Sequence, residues 1–166
     1  MRPTSDRLRE TLFNILAPRI RGSRFLDVFA GSGAIGIEAL SRGASEVTFI
    51  ENAPRARSAI KANLQTLGIA ERVRLISRDA TPALKQLADA SEQFDIVFFD
   101  PPYASELYED FMGRLPASGL ITPDSIVIVE HRAKHLLAPA YSNLKRTRQV
   151  KQGESALSFY ELEDTA

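Results

Sequence analysis

Asp100, Pro101, Pro102 and Tyr103 are the residues of this chain best suited to do chemistry together, because they follow directly on an apolar run. That run, Phe94-Asp95-Ile96-Val97-Phe98-Phe99, is short and rich in β-branched and aromatic residues, so it reads as a buried strand. Two prolines in succession cannot continue a strand or donate to its ladder, and the chain must leave the sheet in a stiff, extended turn. An acid, rigid carbonyls and an aromatic ring are thereby presented at the carboxyl end of a strand, the edge where open α/β sheets bind ligands. The arrangement suits a flat heterocycle stacked on Tyr103, with its exocyclic amine donating to the Asp100 carboxylate and the Pro101 carbonyl. As a plain stiff loop the same residues would have only packing to do.

A second constellation suggests what reacts with such an amine. Arg24–Phe29 reads as a strand, Gly31-Ser32-Gly33-Ala34-Ile35-Gly36 follows it, and a helix runs on to about Arg42. G-x-G-x-x-G between strand and helix lets a nucleotide approach the backbone. By itself it serves a nicotinamide dinucleotide equally well. The flanking charges separate the two ligands. Asp27 lies within this strand, Glu51 ends the next, Asp79 follows the third, and Asp100 follows the fourth. Carboxylates gathered at one sheet edge repel a pyrophosphate. They suit S-adenosylmethionine, which carries a sulfonium, an ammonium and the hydroxyl and amine donors of adenosine. A side chain at Gly33 is expected to fill the space such a ligand occupies.

The elements that must position these groups follow one rhythm. Ser5 caps a helix whose Leu8, Leu12, Ile15 and Leu16 share a face, ended by Pro18 and Gly22. Strand 24–29, helix 33–42, strand 46–51, helix 54–67 closed by Gly68, and strand 72–77 come next. A helix over about 81–90, strand 94–99, a helix near 105–115 and strand 125–130 complete the alternation. Such alternation predicts a mostly parallel sheet with helices on both faces. Residues 143–151 and 154–162, parted by Gln152-Gly153, predict a terminal antiparallel hairpin. The expected fold is α/β, Rossmann-like, with seven strands, in one domain spanning residues 1–166.

Composition is that of a globular enzyme: 166 residues, 44% hydrophobic and 25% charged. No apolar stretch approaches the roughly 18 residues of a membrane span, and the start, Met1-Arg2-Pro3-Thr4-Ser5-Asp6, has no apolar leader, so a cytoplasmic location is expected. Cysteine is absent, which excludes disulfides and thiolate metal sites. His131 and His135 read as surface or supporting residues, and no metal is expected. Lysine plus arginine equal aspartate plus glutamate at 21 each, so any nucleic-acid surface must come from local clusters. Candidates are Arg2, Arg7 and Arg9 at the start, Arg19, Arg21 and Arg24 after the first helix, and Lys145, Arg146, Arg148 and Lys151 near the end.

Taken together, Arg2-Pro3-Thr4-Ser5-Asp6-Arg7, Leu26-Asp27-Val28-Phe29-Ala30-Gly31-Ser32-Gly33, Ile50-Glu51-Asn52, the Asp-Pro-Pro-Tyr tetrad and Gly153-Glu154-Ser155-Ala156-Leu157 resemble the class I S-adenosylmethionine-dependent methyltransferases. Within that class the chain is similar to the bacterial enzymes that methylate N2 of a guanine in small-subunit ribosomal RNA, and the likeness extends over essentially its whole length. The resemblance implies Asp100, Pro101, Pro102 and Tyr103 as the catalytic set. It implies S-adenosyl-L-methionine as cofactor, held by Asp27, Phe29, Gly31, Ser32, Gly33, Glu51, Asn52, Asp79 and Ala80. Glu51 would take the ribose hydroxyls, Asp79 would face the adenine amine, and Gly31 to Gly33 would lie under the methionine end. The implied partner is ribosomal RNA within small-subunit particles, gripped by Arg2, Arg7, Arg9, Lys145, Arg146 and Arg148. Family members usually carry a basic segment ahead of the Arg-Pro-Thr-Ser-Asp opening; Met1 stands in its place, which predicts weaker RNA affinity. Two other readings stay open: an adenine-N6 or other amino-group nucleic-acid methyltransferase, and a non-catalytic or dehydrogenase-like nucleotide-binding domain.

Overall fold

Why the chain begins with a helix is visible at its first turn, where the Ser5 hydroxyl accepts the Leu8 N–H at 3.1 Å. This helix, α1 (Asp6–Ile20), buries Leu8, Leu12, Phe13, Leu16 and Ile20. The computed structural model to which it belongs describes residues 5–102 and 105–163. Pro18 was expected to end α1 but lies inside its last turn. Ile20, only 4% exposed, anchors that turn in the core.

The alternation then proceeds as β1 (Arg24–Val28), α2 (Ala34–Ser41), β2 (Glu46–Ile50), α3 (Pro54–Leu67), β3 (Val73–Ile76), α4 (Ala80–Asp89), β4 (Ile96–Phe99), α5 (Ser105–Arg114) and β5 (Ile126–Arg132). The helix boundary at Gly68 matches expectation because that residue adopts φ +66, the left-handed cap that glycine takes without penalty. Beyond β5 come β6 (Ala140–Tyr141), β7 (Leu144–Gln152) and β8 (Ser155–Leu162).

Among the described residues, one sheet contains all eight strands in the order β3-β2-β1-β4-β5-β8-β7-β6. The first five are parallel and the rest antiparallel. The expected count of seven is therefore corrected to eight. The additional strand, β6, has two residues, too few to carry any hydrophobic period. Buried Tyr141, whose hydroxyl donates to Glu109 at 3.2 Å, holds it in place.

Alternating residues along each strand face opposite cores. Phe25, Phe49, Ile96, Phe98, Ile128 and Phe159 pack with α1, α2 and α3. Leu26, Val28, Val97, Phe99, Val129 and Tyr160 pack with α4 and α5. Because both faces are covered, ligands can reach the sheet only at its edges. No helix among the described residues is long and apolar enough to cross a membrane.

Candidate active site at the carboxyl edge of the sheet

Strand β1 ends abruptly. Phe29 takes φ +60, and Gly31 and Gly33 take +59 and +83, so the chain turns sharply before α2 begins. Two carboxylates hold this turn from beneath. The Glu51 Oε1 accepts the Gly31 N–H at 2.7 Å and its Oε2 accepts the Ala53 N–H at 3.0 Å. The Asp27 Oδ2 accepts the Gly36 N–H at 3.1 Å. Asp27 is 1% exposed, and burial pushes its pKa up to about 7; the Gly36 bond opposes that rise and the Glu51 charge adds to it.

These bonds bear on which ligand the turn can take. A pyrophosphate site offers open backbone N–H groups at the helix start. Here the Gly31 and Gly36 donors already serve carboxylates, and a phosphate would have to displace them against like charge. A cationic ligand rich in hydroxyl and amine donors fits the same acceptors, which keep spare lone pairs. The residues present thus fit S-adenosylmethionine.

Other members of the expected cofactor set converge on this edge. The Asn52 amide donates to the Asp79 carboxylate, tying the loops after β2 and β3 together. Asp79 occupies the position before α4 without capping it, and Ala80 opens that helix. The Ser32 carbonyl accepts from Asn63 of α3 at 3.2 Å, a brace that no motif announced. Phe29 meets Phe99 edge-on at 5.6 Å. It also borders a mainly apolar cavity of about 440 Å³ between α4 and α5, where Ala80, Leu84, Leu107 and Phe111 contribute walls.

The reason given for Gly33 needs correction. A Cβ there would meet Ile60 at 3.1 Å and Phe49 at 3.4 Å, which are core side chains, not ligand space. Gly36 is tighter still, with a Cβ position 2.4 Å from the Phe49 ring. Both glycines let α2 sit close on β2.

Asp100 leaves β4 beside a cavity of about 680 Å³. Its wall combines segments distant in sequence: Asp100, Pro101 and Pro102 after β4, Glu130 to Lys134 at the end of β5, Gln152 to Ser155 in the β7–β8 turn, and Ser5 ahead of α1. Antiparallel pairing explains the meeting, since Arg132 lies opposite Ser155 and the hairpin turn must fall at the carboxyl edge. Tyr103 lies outside the described residues, as does Arg2.

The Asp100 carboxyl is pushed up to about 8, first by burial, then by the charges of Glu130 and Asp27. The folded chain therefore holds a proton that the unfolded chain, with its ordinary value of 3.8, releases. Stability from this group is full below about pH 4 and is lost as pH rises toward 8. Asp100→Asn is expected to melt above wild type, with a gap that widens from pH 5 to pH 8. Thermal melts at both values check this, and a gap independent of pH would contradict it.

Glu130 and His131 belong to this cavity although neither stood among the expected site residues. Glu130 closes the strand expected over 125–130 and follows the last β4-paired residue, Val129, so the rule that found Glu51 also finds it. His131, expected at the surface or in a supporting role, is 4% exposed and supports the strands rather than facing solvent. Its Nδ1 donates to the Arg132 carbonyl at 2.8 Å, and its Nε2 accepts from Ser158 at 2.7 Å. Burial lowers its pKa, which keeps the ring neutral and suits it to clamping β5 to β8. His135 packs its ring against Tyr108 at 4.9 Å.

The candidate RNA residues divide. Arg7 is exposed on the first turn of α1, near Ser5 and the cavity. Arg9 is paired with Asp6 at 3.0 Å. Lys145 is paired with Glu163 and begins β7, whereas the hairpin turn at the cavity ends it, about 20 Å away at 3.3 Å per residue. Arg146 and Arg148 lie opposite Tyr160 and Phe159, partway along that strand. Lys134, which no basic run suggested, is exposed on the cavity wall.

Residues 1–161 match the family described as Conserved hypothetical protein 95. The chain belongs to this family. It is 37% identical over 163 residues to the Ribosomal RNA small subunit methyltransferase D of Escherichia coli, covering 98% of this chain and 80% of that protein. To the protein of the same name in Haemophilus influenzae it is 42% identical over 141 residues, covering 84% and 72%. The solved structure of Escherichia coli yhhF superposes with a TM-score of 0.84 at 36% identity, covering 98% of this chain and 88% of that one.

Proposed function

We propose that this chain transfers the methyl group of S-adenosylmethionine to the exocyclic N2 amine of a guanine in small-subunit ribosomal RNA. The observation that carries the reading is the cavity in which Asp100-Pro101-Pro102, the Ser5 end of α1 and the Gly153-Glu154-Ser155 turn meet. The relatives named small subunit methyltransferase D support the choice of RNA.

When bound, S-adenosylmethionine supplies a methyl group already activated on a sulfonium. The protein's task is the acceptor, whose amine lone pair is delocalised into the base. The Asp100 carboxylate and the Pro101 carbonyl hold the two amino protons, which turns the lone pair out of conjugation. Tyr103 fixes the plane of the base by stacking. Holding two reactants in line contributes several kcal/mol by itself. As nitrogen gains positive charge, Asp100 stabilises it. A carboxyl whose pKa stands near 8 in the free protein is also suited to take the proton that nitrogen then loses. When bound, the positive charge of S-adenosylmethionine would lower that pKa again and favour the ionised form of Asp100.

A base inside a duplex cannot enter this cavity, so the target is unpaired or flipped out. The setting is a small-subunit particle in the cytoplasm.

Incubation with labelled donor tests the reading. Label is expected in undermethylated small subunits and not in DNA, while calorimetry detects S-adenosylhomocysteine and no nicotinamide dinucleotide. Dinucleotide binding with no response to S-adenosylhomocysteine would overturn it. The RNA path follows the cavity wall. Arg7→Ala and Lys134→Ala should each reduce the log–log salt slope of RNA binding by about one unit, and Lys145→Ala should leave it unchanged. Salt titrations of the three variants decide this, and a loss confined to Lys145→Ala would move the RNA to the opposite edge.

A further inference from the structure

We infer that Glu130 accepts the ring N1–H of the target guanine and thereby sets the base preference of the site. This rests on the guanine-N2 reading above. Strands β4 and β5 are parallel with Phe99 beside Val129, so Asp100 and Glu130 are the next residues along neighbouring strands. Both line the 680 Å³ cavity. Glu130 is 8% exposed, and its charge is felt at Asp100. The backbone beneath it is fixed, because the Tyr108 hydroxyl donates to the Glu130 carbonyl at 3.4 Å while the Tyr108 ring packs edge-on against Phe99 at 6.1 Å.

Neighbouring strands lie about 4.8 Å apart, so these two acidic side chains present acceptors side by side. A ligand edge that carries two adjacent N–H donors can meet both carboxylates at once. Among the standard bases, guanine alone places its exocyclic amine next to a ring N–H. In adenine and cytosine the ring nitrogen beside the amine offers a lone pair, which a carboxylate repels. Asp100 with Pro101 therefore holds the amine, and Glu130 reads the adjacent N–H.

The test uses small-subunit particles assembled on transcribed RNA, with guanine or 2-aminopurine at the position the wild-type protein methylates. The analogue keeps the amine but has a lone pair at N1. Wild type is expected to prefer guanine by about 100-fold or more in kcat/KM, since a site built around a hydrogen bond rejects the analogue lacking it. Glu130→Ala should cut transfer to guanine, leave transfer to 2-aminopurine no slower than in wild type, and reduce the ratio to within about tenfold. Glu130→Gln, which retains an accepting oxygen, should recover part of the guanine rate and guards against a variant that fails to fold. S-adenosylhomocysteine affinity should be unchanged in both. An unaltered ratio in Glu130→Ala, or a guanine rate in Glu130→Gln no higher than in Glu130→Ala, with normal S-adenosylhomocysteine binding would overturn the role of Glu130 alone. If wild type forms no N2-methylguanosine, the guanine reading fails and this inference with it.

Discussion

Asp100→Ala is expected to lower methyl transfer by about 10²–10³-fold or more while S-adenosylhomocysteine still binds with nearly wild-type affinity. The magnitude follows from removing one preorganised group aimed at developing charge. The separation of effects follows from position. Asp100 faces the acceptor cavity, whereas the glycine turn is held by Glu51 and Asp27. Single-turnover kinetics beside calorimetry measures both quantities. Normal turnover at saturating donor with a large loss of cofactor affinity would reassign Asp100 to the donor. Tyr103→Phe should be mild beside Tyr103→Ala, which removes a stack of about 1–3 kcal/mol.

Gly36→Ala is expected to destabilise the fold and weaken cofactor binding together. Its Cβ would lie 2.4 Å from one carbon of the Phe49 ring and 2.8 Å from Val47 Cγ1. Phe49 is fully buried in the core, where close packing resists its displacement. Overpacking of this kind costs about 1–3 kcal/mol, which in a domain of this size lowers the melting temperature by about 2–12 °C. Helix α2 must retreat from β2, and the Gly36 N–H would then lose its bond to Asp27. Melting curves and S-adenosylhomocysteine titration check the pair of effects. A variant as stable as wild type would show that α2 does not depend on this approach. Gly33→Val should fail for a related reason, strain at φ +83 and contact with Ile60, with no ligand needed to reveal it.

Legibility differed from element to element for physical reasons. Helix α3 was readable to the residue because Pro54 and Gly68 impose backbone geometry at its two ends. Strands β4 and β5 were readable because Ile96–Phe99 and Ile126–Val129 are buried and apolar throughout. Strand β6 was not, since two residues carry no period. The continuation of α1 past Pro18 depends on the burial of Ile20, a tertiary effect that local propensity does not contain. In the site, strand ends located Asp27, Glu51, Asp79 and Asp100 at one edge. The same logic applied to β5 reaches Glu130. Whether His131 lay at the surface or supported the strands was not legible, because its partner Ser158 comes from an antiparallel strand 27 positions away. Clustering along the sequence grouped Lys145 with Lys151, yet an extended strand carries the two toward opposite edges of the sheet.

The most direct test of the central claim is the identity of the product nucleoside. Undermethylated small subunits are incubated with labelled S-adenosylmethionine and either wild type or Asp100→Ala, and the RNA is digested and resolved by mass spectrometry. The account predicts label in N2-methylguanosine with wild type and none above background with the variant. Label in N6-methyladenosine or in a ribose methyl, or equal N2-methylguanosine from both proteins, would contradict it.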